Sequence, residues 1–284
     1  MESATPKSPE GDLHSPFRGQ GGNMPWLEKL NLTIHSTNSF PHSAGIASSA
    51  SSMSALALCL CSLEKALTGG LSDDKDFYRQ ASYLARLASG SAARSVYGGL
   101  VTWGKIEGLP GTSDEFASPL SAPIHETFRD YLDAVLIINA GEKEVSSRAG
   151  HALMDHHPYA QVRYRQANEN IATLIKAIGE GDTETFIFIV ENEALNLHAL
   201  MMTSDPSVVL TKPLTWAIIQ LLRSYRKKTG YNVCFTLDAG PNVHVLYPKS
   251  VKSEVETFIK EELVVYCSAK YWIADTTGQG PVKI

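Results

Sequence analysis

The chain has little of what staples a small fold or builds a metal centre. Four cysteines, at 59, 61, 234 and 267, stand among 284 residues. All lie in apolar sequence with no Cys-x-x-Cys pair, which argues against a disulfide framework and for buried free thiols. Cys59 and Cys61 are two apart on an expected helix, so they face different directions and share neither a bridge nor an ion. Nine histidines are thinly spread, and the adjacent His156 and His157 diverge on a helix, which speaks against a metal site. Basic charge is also short: 25 Lys and Arg against 30 Asp and Glu leave a net −5. Interspersed signs of this kind give no footprint for nucleic acid or an anionic membrane surface. No apolar run is expected to reach membrane-spanning length, because the richest stretch, 46–63, is punctuated by serines. Met1-Glu2-Ser3-Ala4-Thr5-Pro6 lacks the basic and apolar regions of a signal peptide, so the cytosol is the expected compartment. No internal repeat is evident, and the length suits one large or two modest domains.

What is present begins with Pro41-His42-Ser43-Ala44-Gly45-Ile46-Ala47-Ser48-Ser49-Ala50, a Gly/Ser-rich loop that runs directly into an Ala/Leu/Ser-rich helix. Unpaired amides and the positive helix end would face whatever the loop encloses, and small side chains would let phosphate oxygens approach. Ser48 and Ser49 add hydroxyl donors. The loop is neither a Walker loop, since no Gly-Lys-Ser/Thr follows, nor a Gly-x-Gly-x-x-Gly turn. A capped core helix with a small-residue packing face is the alternative reading.

Near the other end, Phe235-Thr236-Leu237-Asp238-Ala239-Gly240-Pro241-Asn242-Val243-His244 reads as a strand that delivers a carboxylate into a tight turn. Taken alone, an Asp before Gly-Pro satisfies turn amides. Between the two segments lies Ser89-Gly90-Ser91-Ala92-Ala93-Arg94-Ser95, whose plain reading is a helix-ending turn followed by an arginine in a surface ion pair.

Together these segments resemble the diphosphomevalonate decarboxylases of the GHMP small-molecule kinase superfamily. The likeness runs from about Leu30 to the C-terminus and includes Glu193-Ala194-Leu195-Asn196-Leu197-His198-Ala199-Leu200-Met201-Met202-Thr203-Ser204, similar to a long inner helix of that family. The Gly-x-x-Ser-Ser loop is shared across the superfamily, whereas Asp-Ala-Gly-Pro-Asn is specific to the decarboxylase branch. The resemblance implies an α+β protein of the GHMP kinase fold, with a shortened, ribosomal S5 domain 2-like first part and a ferredoxin-like second part. It implies ATP-dependent conversion of mevalonate 5-diphosphate to isopentenyl diphosphate, with ATP as co-substrate, Mg2+ on its phosphates, a role in isoprenoid and sterol synthesis, and a homodimer. Ser43, Ala44, Gly45, Ile46, Ala47, Ser48 and Ser49 match the ATP loop. Asp238 matches the catalytic aspartate and Arg94 the arginine that holds the substrate carboxylate. Ser89 and Ser91 match serines that hydrogen-bond substrate, and Ser147 and Arg148 fall where the family places groups near the substrate diphosphate. A capped helix start would look the same at 147 and 148. Glu193 and His198 are expected to pack rather than catalyse, and Met201 and Met202 to fill core.

Along the chain, residues 1–24 are expected to be a flexible lead-in, 25–145 a nucleotide-binding domain lacking the family's first strands, and 146–284 a second domain whose last residues return to the first. Residues 30–36 alternate as a half-buried strand. A helix is expected over 74–88, strands over 96–103 and 134–138, and a Gly/Pro/Ser loop over 108–123. Thereafter helices dominate. Gly179 and Gly181 close one helix and Asp182 caps the next, with Phe186, Val190, Ala194, Leu197 and Met201 as its stripe. Pro213 opens a further helix and Gly230 closes it, and strands over 233–237 and 243–247 bracket Asp238. The family's Lys-Tyr-Trp-Gly-Lys-type motif, which grips the substrate diphosphate, has no counterpart upstream of residue 41; Trp103-Gly104-Lys105 is only an echo of it. Two alternatives follow: a related kinase that stops at phosphorylation, or a shortened ATP-binding relative that turns nothing over.

Overall fold

The computed structural model describes residues 30–40, 46–141 and 147–283, without the side chains of 147 and 148. The expected lead-in over 1–24 and the loop residues Ser43, Ala44 and Gly45 lie outside these. Two compact units are formed, Met1–Thr37 and Asn38–Ile284. In the first, the described residues 30–37 form no strand, which corrects the expectation for 30–36. Alternation alone does not make a strand: a ladder partner is needed, and Leu32 and Ile34 are 47% and 62% exposed.

The second unit opens with α1 (Ser48–Thr68) and α2 (Asp74–Ala88). Gly69 stops α1 in the left-handed region at φ 70, donating its amide to the Lys65 carbonyl. Asp73 caps α2 by accepting from the Asp76 amide. A short 3₁₀ helix, Gly90–Val96, follows where the expected strand over 96–103 would begin, and that strand survives only as β1 (Val101–Trp103). Ala50, Ala57 and Cys61 of α1 pack on Ala81 and Ala85 of α2 and on Ala92 and Val96 of the 3₁₀ helix. Small side chains allow this close approach, and burial pushes the Cys61 thiol up to about 12. Cys59 corrects the buried-thiol expectation, since it is exposed on the opposite side. The expectation about membrane spans is corrected too: by length and composition α1 is apolar enough to cross one.

The expected loop over 108–123 contains β2 (Ala117–Pro119), which pairs antiparallel with β1. The rest of the unit is built on a four-stranded antiparallel sheet ordered β4-β5-β3-β6, from β3 (Tyr131–Leu136), β4 (Cys234–Leu237), β5 (Val243–Pro248) and β6 (Trp272–Thr276). The period of two divides its faces. Leu132, Ala134, Phe235, Val243, Val245 and Tyr247 face α6 (Pro213–Thr229) and α7 (Lys252–Phe258) through Ile218, Ile219, Leu222 and Val255. On the other face Cys234, Leu246 and Tyr131 meet Phe128, Ile178 of α4 (Ala160–Glu180) and Phe186 and Ile187 of α5 (Thr183–Met202). Strand β3 hydrogen-bonds to β5 and β6 and so joins the sheet of the strands that follow residue 145.

Helix punctuation follows the local chemistry. Gly181 closes α4 at φ 78, and Asp182 caps α5 through the Thr185 amide. Pro213 sits in the first turn of α6, and Gly230 closes it at φ 74. After β6 the chain lies on residues 97–99: Gly99 donates to the Gly278 carbonyl at 2.8 Å. A Cβ at Gly98 would lie 2.5 Å from the Gln279 carbonyl carbon, so only glycine fits there.

Candidate active site

At the start of α1, Ala47 adopts φ 60, ψ 27 and supplies no side-chain cap. A left-handed alanine costs about 1–2 kcal/mol, and the helix end it sets up leaves amides at the positive pole for an anion. Ile46 is half-buried, Ser48 is buried at 7%, and Ser49 is exposed. The Ser49 hydroxyl lies 3.3 Å from that of Ser89. Ser89 ends α2 and begins the 3₁₀ helix that carries Ser91 and Arg94, so the expected ATP loop and the expected substrate serines meet at one place. Arg94 is exposed, and its guanidinium makes no hydrogen bond or ion pair among the described residues. The plain reading of a surface ion pair therefore does not describe it.

Asp238 follows the last residue of β4 and is half-buried. The turn is closed by main chain: the Gly240 amide donates to the Asp238 carbonyl at 2.7 Å. The carboxylate itself makes no hydrogen bond among the described residues, so it is not spent on turn amides. Side chains from elsewhere in the fold hold the turn, among them Thr215, whose hydroxyl donates to the Pro241 carbonyl at 2.7 Å. His198 Nε2–H of α5 donates to the Asp238 carbonyl at 3.1 Å, and burial lowers the imidazole below its usual range, so it stays neutral. Asn242, 1% exposed, accepts from the amides of Ile138 and Asn139 at 2.8 and 3.0 Å and donates to the Asn139 carbonyl at 3.1 Å. Both anchors went unnoticed at the sequence level: His198 was expected to pack, and Asn242 was only part of a motif. Their partners are forty and more than a hundred residues away, which no local signal reveals.

Ser147 begins the six-residue α3 (Ser147–Ala152) with Arg148 after it; their side chains lie outside the description. Glu193 faces α4, where Arg163 pairs with it through both guanidinium nitrogens and the Asn170 amide donates to it at 2.7 Å. Met201 is buried and Met202 exposed. His157 Nε2 lies 3.1 Å from Thr203 Oγ1. No group of three or more His, Cys, Asp or Glu side chains suited to an ion exists among the described residues.

The fold around this turn is similar to that of solved mevalonate diphosphate decarboxylase structures. The structure of mevalonate diphosphate decarboxylase from Staphylococcus aureus matches with a TM-score of 0.69 and 31% identity, covering 85% of this chain and 68% of that one. A complex of MDDEF with MVAPP, AMPPCP and magnesium matches with a TM-score of 0.68 and 32% identity, over 84% of this chain and 68% of its own. The diphosphomevalonate decarboxylase-like N-terminal domain is matched by residues 13–116 and the mevalonate 5-diphosphate decarboxylase C-terminal domain by 134–280. The chain belongs to the mevalonate 5-diphosphate decarboxylase family. The diphosphomevalonate decarboxylase of Ganoderma lucidum is 31% identical over 256 residues, which are 87% of this chain and 61% of that protein. This chain thus spans less than two thirds of that relative.

Proposed function

We propose that the protein decarboxylates mevalonate 5-diphosphate to isopentenyl diphosphate in an ATP-dependent reaction that releases ADP, phosphate and carbon dioxide. The observation that carries this reading is the Asp238 carboxylate, unpaired among the described residues, in a turn anchored by His198 and Asn242. A tertiary 3-hydroxyl is a crowded, weak nucleophile. Asp238 accepts its proton as the hydroxyl oxygen bonds to the γ-phosphorus and ADP departs. The C3–O bond then breaks with its electron pair going to phosphate. The C1–C2 bond supplies the electrons of the new double bond as carbon dioxide leaves. Arg94, with no partner of its own, holds the carboxylate in its planar fork until that step. Ser89 and Ser91 hydrogen-bond the substrate, and Ser147 and Arg148 serve its diphosphate.

ATP sits at the Ser43–Ser49 loop in this reading, its phosphates drawn to the uncapped start of α1. Mg2+ keeps several waters and takes few protein ligands beside phosphate oxygens. Mg2+ carried on the triphosphate would neutralise its charge. The complex of a relative with MVAPP, AMPPCP and magnesium supports the same set of ligands. A homodimer and a cytosolic location go with the family resemblance and are testable by light scattering and cell fractionation.

The deciding test is an ADP-release and carbon dioxide assay with ATP, magnesium and mevalonate 5-diphosphate, run beside Asp238→Asn. The substitution keeps the shape and removes the proton acceptor, so turnover is expected to fall by about 10³ or more with ATP affinity retained. ADP without carbon dioxide would make the protein a kinase. ATP binding without ADP release, in a folded sample, would make it a non-catalytic relative.

A further inference from the structure

On the α4–α5 face of the sheet, His244 Nδ1 lies 2.8 Å from Asp133 Oδ2, pairing β5 with β3 across 111 residues. The pair is only partly exposed, at 15% for the His244 side chain and 29% for Asp133. Three polar atoms of this face are buried without a partner: His244 Nε2, Asp133 Oδ1 and the Tyr131 hydroxyl. Register places His244 opposite Thr236, two residues before Asp238, and the Asp238 charge acts on the His244 ring. Asp275 of β6 stands opposite Asp133. Around one imidazole there are therefore three carboxylates, from β3, from β6 and from the turn. A buried nitrogen with no acceptor and a carboxylate with no donor, close together and complementary in charge, are half of an interaction each.

We propose that His244, clamped by Asp133, is a positioning residue for Asp238: as an imidazolium it offsets the cluster of carboxylates and holds the Asp238 carboxylate oriented. The proposal rests on the reading of Asp238 as the proton acceptor. Without a cation, the like charges of Asp133 and Asp275 would act unopposed on the charge of Asp238 and disturb its position. Burial opposes charge on His244, but the hydrogen bond to Asp133 and the charges of Asp133, Asp238 and Asp275 outweigh it and raise its affinity for a proton. The remaining groups near this face add no competing cation. His198 on α5 is held neutral, the Cys234 thiol is pushed up by burial, and Glu191 of α5 is already paired with Arg223 and Arg226.

The test is the titration of the His244 ring by NMR in the full chain and in Asp238→Asn and Asp133→Asn, with rate profiles beside it. Coupling between two titrating sites is reciprocal. Removing the Asp238 charge must lower the His244 midpoint by about half a unit or more. An unmoved His244 midpoint in Asp238→Asn overturns the proposal. Asp238→Asn changes a half-buried, unpaired carboxylate, so this arm does not depend on a fragile variant. In the rate profiles, His244→Gln is expected to lower kcat by about tenfold, to shift the acid limb upward and to leave the ATP KM alone. His244→Lys, which keeps the charge, is expected to restore most of kcat. A Lys variant as slow as the Gln variant, with an unshifted acid limb in both, reduces His244 to packing and overturns the proposal. If no variant and not even the parent turns over, the proposed activity fails, and the NMR coupling still decides this one.

Discussion

Ser49 and Ser89 place their hydroxyls 3.3 Å apart across forty residues of chain, which ties the start of α1 to the end of α2. Both are near solvent, so the bond itself contributes little to stability, about 1 kcal/mol or less. Under the proposed function its value is in position, because one hydroxyl would stand on the ATP side and the other on the substrate side. Ser89→Ala is expected to raise the KM for mevalonate 5-diphosphate by about tenfold, and Ser49→Ala to act mainly on ATP. The double variant should be non-additive by about 0.5–1 kcal/mol, read from kcat/KM in a double-mutant cycle. Strict additivity would mean that the two hydroxyls do not share work.

Arg94 stands exposed on the 3₁₀ helix without a partner among the described residues. Replacing its planar fork by the point charge of lysine is expected to cost about 10- to 100-fold in kcat/KM for mevalonate 5-diphosphate. ATP affinity, measured by calorimetry, should change by less than about twofold. Loss of ATP binding instead would reassign Arg94 to the nucleotide.

Much of this fold could be read locally, and the reason is visible in particular residues. Asp182 caps α5, Gly181 and Gly230 close helices with positive φ, and Pro213 opens α6, each through chemistry within a few residues. What was misread depends on distant partners. Residues 30–36 alternate but pair with no described strand, and β2 hid in a Gly/Pro/Ser-rich stretch because only β1 gives it a ladder. Motif residues nominate Asp238 and Arg94 as candidates, whereas the groups that hold the Asp238 turn are linked to it through contacts such as Asn242 to Ile138, 104 residues apart. A short sequence window nominates a candidate residue more readily than it shows what orients it.

Asn242 carries three hydrogen bonds between the Asp238 turn and the end of β3. Asn242→Ala would leave two amides and a carbonyl in partly buried surroundings, at a cost of about 2–4 kcal/mol. In a chain of this size that corresponds to a drop of roughly 5–12 °C in the melting temperature, measured by calorimetry. Asp238→Asn is the matched control and should melt within about 2 °C of the parent, because the lost carboxylate bonds nothing described.

Glu191 is 6% exposed and accepts from Arg226 at 2.5 Å and Arg223 at 3.3 Å, joining α5 to α6. Glu191→Ala strands two guanidinium groups beside a buried gap and is expected to cost about 3 kcal/mol. Denaturant unfolding should show the midpoint falling with an unchanged slope. A neutral result would place this carboxylate among ion pairs that merely break even.

His198 and His244 flank the Asp238 turn with protonation preferences of opposite sign. Burial lowers the folded-state value of His198, against the partial opposition of the Asp238 carbonyl and charge. Its stability contribution is therefore present above the ordinary imidazole value and lost as pH falls through the lowered one, since the unfolded chain binds the proton first. His244 is raised in the fold, burial notwithstanding, by Asp133, Asp238 and Asp275. Its contribution is present below the ordinary value and lost as pH rises through the raised one. The two slopes oppose each other in the parent protein and can be separated by substitution. His198→Gln should flatten the fall in melting temperature below about pH 6.5, and His244→Gln should flatten the fall above about pH 6.5. Melting curves across that range check both signs at once. If His198→Gln steepens the acid limb, the buried imidazole is charged in the fold and the donor to the Asp238 carbonyl is a cation.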